Sequence, residues 1–293
     1  MPAPLLDREF LEKLERLTIH WEKSFAGLVG GHNASRFAGA GQEFLDHRNF
    51  HHGDDVRAVN WRAFLRLEKL FLKMFQVEPR VPVRMLVDLS QSMATDGGAK
   101  FDYARKLAAA LVYVGLVRHD SMEIQGFSSR LSQRIFATGG RHRFTAVMDA
   151  IAAWEPSGAT DCVATIREFV SVYSQRGLVV VISDFLDDNS CDRALQYLAD
   201  FGHELMLLQI YSPEDRVPPW TGELELRDAE TAVSMKLDFD EQARIRYTAA
   251  FDGYSDAIES RALRSGGRYA RIETSQPLED VIFGELIKIR GIA

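Results

Sequence analysis

Val83-Arg84-Met85-Leu86-Val87-Asp88-Leu89-Ser90-Gln91-Ser92 is the stretch whose reading decides the fold. It opens as a short apolar run and stops in one carboxylate and two hydroxyls. A run of this length with polar ends fits a strand buried on both faces of a parallel sheet. Open α/β sheets bind ligands beyond the carboxyl ends of their strands. Asp88, Ser90 and Ser92 therefore stand as hard oxygen donors where such a fold binds things.

Outward from this run, helix and strand signals alternate. Lys100–Val117 carries Phe101, Ala104, Leu107, Ala108, Leu111 and Val114 at helical spacing. Met122–Phe127 and Leu131–Ala137 read as a hairpin turning at Ser128-Ser129-Arg130, and Arg143–Trp154 as a helix. Asp161 is placed as the N-cap of a helix over Cys162–Tyr173. Leu178–Ser183 is the most strand-like run in the chain and is followed by Asp184. Cys191–Phe201 predicts a helix, Glu204–Tyr211 a strand, and Pro213, Pro218 and Pro219 a break. Glu223–Leu226 and Val233–Phe239 alternate as a hairpin. Glu241–Arg264, Tyr269–Ile272 and Leu278–Ile289 complete a helix, a strand and a closing helix.

This alternation predicts an α/β fold with a doubly wound, mostly parallel sheet. Leu6–Phe25 adds an amphipathic N-terminal helix. Leu70–Gln76 and the hairpin near Glu223–Phe239 are expected to meet in one small β-rich subdomain. The expected division is 1–80 (helix and a segment joining the β subdomain), 81–212 (α/β core with the site), 213–240 (hairpin) and 241–293 (rest of the core).

Composition narrows the class. Of the 293 residues, 46% are hydrophobic and 26% charged, as in ordinary soluble domains. A net charge of −7 disfavours nucleic acid as a partner. Arg130, Arg134, Arg141, His142 and Arg143 form a local basic patch, read as a solvated face. Leu107 to Val117 is shorter than the ~18 apolar residues a membrane span needs, so no span is expected. The first residues hold no charged region followed by an apolar one, and no export signal is expected. Two cysteines, Cys162 and Cys191, make neither a disulfide framework nor a zinc site. A reduced, cytoplasmic setting follows as the expectation.

Three elements converge on the carboxyl edge of the predicted sheet: Asp88 to Ser92, Thr160-Asp161, and Asp184. With Asp161 set aside as a cap, two carboxylates and three hydroxyls remain and no soft ligand. Such a set suits Mg²⁺, or Mn²⁺ in its place, with metal–oxygen distances of about 2.0–2.1 Å for Mg²⁺. Asp and Ser as turn and cap residues without a metal is the plainer reading, and the residues alone leave both open.

Asp88-x-Ser90-x-Ser92, a later Thr160 and Asp184 after another core strand resemble the metal-ion-dependent adhesion site of von Willebrand factor A domains. That resemblance implies hydroxyls touching the metal, aspartates acting largely through water, and a partner's carboxylate completing the shell. Ahead of it, Arg36, Glu43-Phe44, Arg48, Gly53-Asp54-Asp55, Arg57 and Trp61 resemble the signature of the bacterial DUF58 family. Asn60 and Phe50 stand where that family usually has Asp and often Tyr. Its members carry a von Willebrand A-like domain and are commonly encoded beside MoxR-type AAA+ ATPases. The resemblance implies an adaptor or co-chaperone that works with such an ATPase and holds a client through an acidic residue.

Read without the resemblance, Asp54, Asp55, Arg57 and Arg62 suggest an ion-pair and turn network with Trp61 packed beneath it. His51 and His52 beside them lack metal-site spacing, apart from His47–His51. The chain has no Walker A loop and no G-x-S-x-G elbow, so ATP dependence is expected from a partner. Phosphotransferases that place an Asp after a core strand need a second carboxylate two residues on, and Ser90 fills that position. A non-enzymatic interaction module is the expectation. Metal-dependent phosphoester hydrolysis through Asp88 and Asp184 stays as the alternative.

Overall fold

The computed structural model describes residues 5–20, 43–51, 56, 59–76, 81–186, 190–229 and 233–293. In chain order the elements begin with α1 (Arg8–Leu14), β1 (Glu43–Asn49), α2 (Trp61–Leu67) and β2 (Phe71–Gln76). Next come β3 (Val83–Asp88), α3 (Ala99–Val117), β4 (Met122–Phe127), β5 (Ile135–Ala137) and α4 (Phe144–Ala152). Then follow α5 (Cys162–Val172), β6 (Leu178–Ser183), α6 (Ser190–Asp200), β7 (Glu204–Tyr211) and α7 (Pro213–Arg216). The chain closes with β8 (Gly222–Arg227), β9 (Ser234–Phe239), α8 (Glu241–Arg264), β10 (Arg268–Glu273), α9 (Leu278–Asp280) and α10 (Leu286–Lys288). They fall into two compact units, Ser24–Val81 and the combination of Met1–Lys23 with Pro82–Ala293.

The larger unit is a doubly wound α/β body. Its six-stranded sheet runs β10-β7-β6-β3-β4-β5, parallel except for β5, which pairs antiparallel with β4. All six residues of β3 and of β6 are buried, as the apolar runs require. Strand alternation splits them between two cores. Met85 and Val87 join α1, α3 and α4 residues on one face, while Leu86 joins α5, α6 and α8 residues on the other. From β3 the chain steps to β4 and β5 on one side, then crosses to β6, β7 and β10 on the other. The switch point of the sheet therefore lies between β3 and β6, where ligands of such folds sit.

Several expected elements differ in extent. The N-terminal helix is α1, shorter than Leu6–Phe25, and 21–25 lie outside the described residues. Arg134 and Arg141 of the basic patch are engaged by acids, at 3.6 Å from Glu123 and 2.7 Å from Glu15. Pro213 begins α7 instead of breaking the chain, because it sits at the first helical position behind a Ser212–Asp215 capping box. The closing helix is interrupted by a π-helical turn at Val281–Glu285.

The β-rich part also differs from expectation. β2 pairs antiparallel with β1, and β8 with β9, as two separate two-stranded sheets belonging to different units. β1 reads Glu-Phe-Leu-Asp-His-Arg-Asn, with no apolar alternation to announce it as the partner of β2. α1 groups with the α/β body and not with 24–81, because Phe10 and Leu14 bury in its core.

The cysteine expectation is overturned. Cys162 and Cys191 form a disulfide that ties the first residue of α5 to the first turn of α6. Their separation of 29 residues hides the pairing in the sequence, whereas the fold sets both helix starts side by side.

Candidate metal centre

The switch point is built by three loops, the first two joined to each other by backbone hydrogen bonds. The first leaves β3 through Leu89, whose N–H donates to Phe127 O at 2.7 Å. Gly126 of β4 makes room for it: a Cβ there would stand 2.2 Å from the Leu89 side chain. The second loop, ahead of α5, is stitched to the first by Ser157 N donating to Leu89 O at 2.7 Å and Gln91 N to Gly158 O at 2.9 Å. Thr160 therefore lies in a loop anchored beside Leu89–Gln91. Asp161 takes the cap role expected of it and accepts from Ala164 N at 2.9 Å. The third loop follows β6 and is fixed by Tyr254 Oη donating to Phe185 O at 2.6 Å.

Asp88 and Asp184 are both 2% exposed. Asp88 Oδ1 accepts from Ser90 N at 2.8 Å, and Oδ2 accepts from Ser183 Oγ at 2.6 Å. Ser90 Oγ lies 2.9 Å from Ser92 Oγ, so the two hydroxyls share one hydrogen bond. Asp184 Oδ1 accepts from Leu186 N at 3.1 Å. Its Oδ2 faces Lys100 Nζ at 3.0 Å, and the same ammonium lies 3.1 Å from Asp215 Oδ2.

Burial and the charge of Asp184 push the Asp88 carboxyl up to about 7, against the hydrogen bonds from Ser183 and Ser90 that pull it down. The cause is loss of water around a charge beside a like charge. Burial by itself lowers Lys100, but the charges of Asp184 and Asp215 outweigh it and hold the ammonium above the ordinary lysine value.

Sequence reasoning missed Ser183 and Lys100. Ser183 is the last residue of β6, opposite the end of β3, a position that the two predicted strand ends already implied. Lys100 opens the helical run after Asp88-x-Ser90-x-Ser92; a charged residue on the buried side of a helix start was the available signal. Of the N-terminal signature, Glu43, Phe44 and Arg48 lie in β1, whereas Arg36, Gly53, Asp54, Asp55 and Arg57 lie outside the described residues. Trp61 starts α2 and is 56% exposed, so it is not packed beneath an ion-pair network.

The donor set tests what ion fits here. No group of three or more His, Cys, Asp or Glu able to hold a metal occurs among the described residues. Two carboxylates and neighbouring hydroxyls are all hard oxygens, which fit Mg²⁺ or Mn²⁺ and give zinc or copper nothing to favour.

The family described as "Protein of unknown function DUF58" matches residues 46–255. Uncharacterized protein Rv1480 of Mycobacterium tuberculosis is 25% identical over 266 residues, covering 89% of this chain and 83% of that protein. Uncharacterized protein MAV169 of Mycobacterium avium is 31% identical over 137 residues, or 46% of this chain and 80% of that one. A von Willebrand factor type A structure from Catenulispora acidiphila is similar over 75% of this chain and 43% of its own, at 10% identity and a TM-score of 0.42. The conserved hypothetical protein BatB from Bacteroides thetaiotaomicron is similar over 71% of this chain and 98% of its own, at 16% identity and a TM-score of 0.41. No helix among the described residues is long and apolar enough to cross a membrane.

Proposed function

The chain belongs to the DUF58 family, and from that premise we propose that it is a non-enzymatic protein-interaction module whose crevice holds Mg²⁺ or Mn²⁺. Asp88, Ser90, Ser92, Thr160 and Asp184 hold the cation, and an acidic side chain of a partner completes its shell. A MoxR-type AAA+ ATPase supplies the ATP hydrolysis that this chain has no Walker A loop to perform, with the chain acting as its adaptor or co-chaperone. A cytoplasmic setting belongs to the same reading. Thiol reductants there would act on the Cys162–Cys191 disulfide.

The observation that carries the reading is the pair of buried carboxylates at adjacent strand ends, Asp88 and Asp184, with the Ser90 and Ser92 hydroxyls 2.9 Å apart beside them. The Lys100 ammonium at 3.0 Å offsets the charge of Asp184, whereas Asp88 is held by hydrogen bonds from Ser90 N and Ser183 Oγ. A cation at this edge would therefore offset the second buried charge.

Calorimetric titration of the full chain with Mg²⁺ and with Mn²⁺ tests it. Wild type is expected to bind and Asp88→Ala to lose most of that affinity; equal binding by both removes the site assignment. Co-purification with the cognate ATPase should be lost on adding EDTA. Capture indifferent to EDTA places the interaction elsewhere on the chain. Turnover of a generic phosphoester that disappears in Asp184→Ala would favour the hydrolase instead.

A further inference from the structure

The Lys100 ammonium is held where a cation site would be expected to exclude one. It is 1% exposed, and its backbone N–H is fixed by the Asp96 carboxylate at 3.0 Å. Its Nζ is shared almost equally between Asp184 Oδ2 at 3.0 Å and Asp215 Oδ2 at 3.1 Å. Asp215 is itself locked by the capping box, with Ser212 N donating to the same Oδ2 at 2.8 Å. Every carboxylate oxygen of Asp88 and Asp184 thus already has a protein donor. The crevice is satisfied and partly neutralised before any ion arrives.

We propose that Lys100 is a built-in counter-ion that keeps divalent-cation binding in this crevice weak until a partner's carboxylate joins Asp88 and Asp184. This rests on the cation reading of the site. An ammonium touching Asp184 cancels one of the two negative charges that attract the ion, and repels the ion across a few ångströms of low-dielectric interior. A carboxylate arriving from a partner restores the missing negative charge. The ion and the partner therefore bind as a pair, each weakly without the other. Asp215 sets the strength of the gate, because it draws part of the ammonium's charge away from Asp184.

The two variants Lys100→Met and Asp215→Asn carry opposite expectations. Each is titrated as the full chain with Mg²⁺ alone and with Mg²⁺ in the presence of acetate, and its folding is checked by circular dichroism and thermal melting. Wild type should bind Mg²⁺ more tightly when acetate is present. Lys100→Met, which keeps the length of the side chain, should bind Mg²⁺ alone at least about tenfold more tightly and gain little from acetate. Asp215→Asn leaves the ammonium to Asp184 and should bind Mg²⁺ more weakly than wild type. A purely structural role for Lys100 would weaken binding in both. If wild type binds and both variants bind equally or more weakly, the counter-ion is refuted while the cation site stands. Should neither wild type nor either variant bind, the cation reading itself falls, and this inference with it. If Lys100→Met does not fold, unchanged or tighter binding by Asp215→Asn refutes the counter-ion on its own.

Discussion

Beyond the crevice, Asp252 on α8 ties down the short helix that carries Asp215. Its two oxygens accept from Arg216 Nε and Nη2, both at 2.9 Å, and Arg271 of β10 donates to it as well. This clamp holds α7, the helix that presents Asp215 to Lys100. The two guanidinium groups keep the Asp252 carboxyl well below the usual carboxylate range. A folded value below the unfolded one stabilises the fold above about pH 4, and that contribution is lost as pH falls further. Asp252→Asn is expected to cost about 1 kcal/mol at pH 7, since the pair is partly exposed and screened. The gap from wild type should narrow between pH 7 and pH 3, read as urea midpoints that draw closer. An equal gap at both pH values would show that the clamp acts through shape and not through charge. Asp88 and Asp184 were legible as strand-end residues in an apolar run, but Ser183 and Lys100 acquire meaning only when β6 and α3 are set beside them.

At the scale of elements, what the sequence revealed follows from the period of each segment. β3, β6 and β7 are mainly apolar runs, and α8 buries Phe251, Ser255, Ile258 and Ala262 at helical spacing, so their bounds could be read to within a residue. β1 and α7 could not, because a polar strand and a proline-led helix carry the composition of loops. The disulfide between α5 and α6 was invisible for another reason: pairing across 29 residues depends on packing, not on local pattern. It joins the element after Thr160 to the element after the Asp184 loop. Closing a loop of that size removes about 3–4 kcal/mol of unfolded-state entropy in the chain-entropy account. Cys162→Ala/Cys191→Ala is expected to lower the guanidinium midpoint of the oxidised protein toward that of the dithiothreitol-treated wild type. If the variant and the oxidised wild type unfold together, the bond contributes nothing to stability.

At the scale of the whole molecule, the α/β body is assembled from two separated stretches of chain. The doubly wound sheet was legible from the alternation of runs, whereas the return of residues 18–20 to the far end of the chain was not. Thr18 and Ala293 exchange both backbone hydrogen bonds, at 2.7 and 2.9 Å, and His20 N donates to Gly291 O at 3.0 Å. Arg268 Nη1 donates to His20 O at 2.6 Å, and Arg118 Nε to Leu17 O at 2.9 Å. The α1 face beneath these bonds is anchored by Leu14, which is fully buried, with Phe10, Leu17 and Ile19 around it. Emptying that position should loosen the sheet itself and not only a terminal helix. Leu14→Ala is expected to cost about 2–5 kcal/mol, the range of a buried leucine truncation. Leu65→Ala on α2, where the side chain is 81% exposed, should stay within about 0.5 kcal/mol of wild type. Both are read from urea unfolding followed by far-ultraviolet circular dichroism. A Leu14→Ala chain that unfolds with wild type would mean that α1 is bound to the body too weakly to share its cooperative transition.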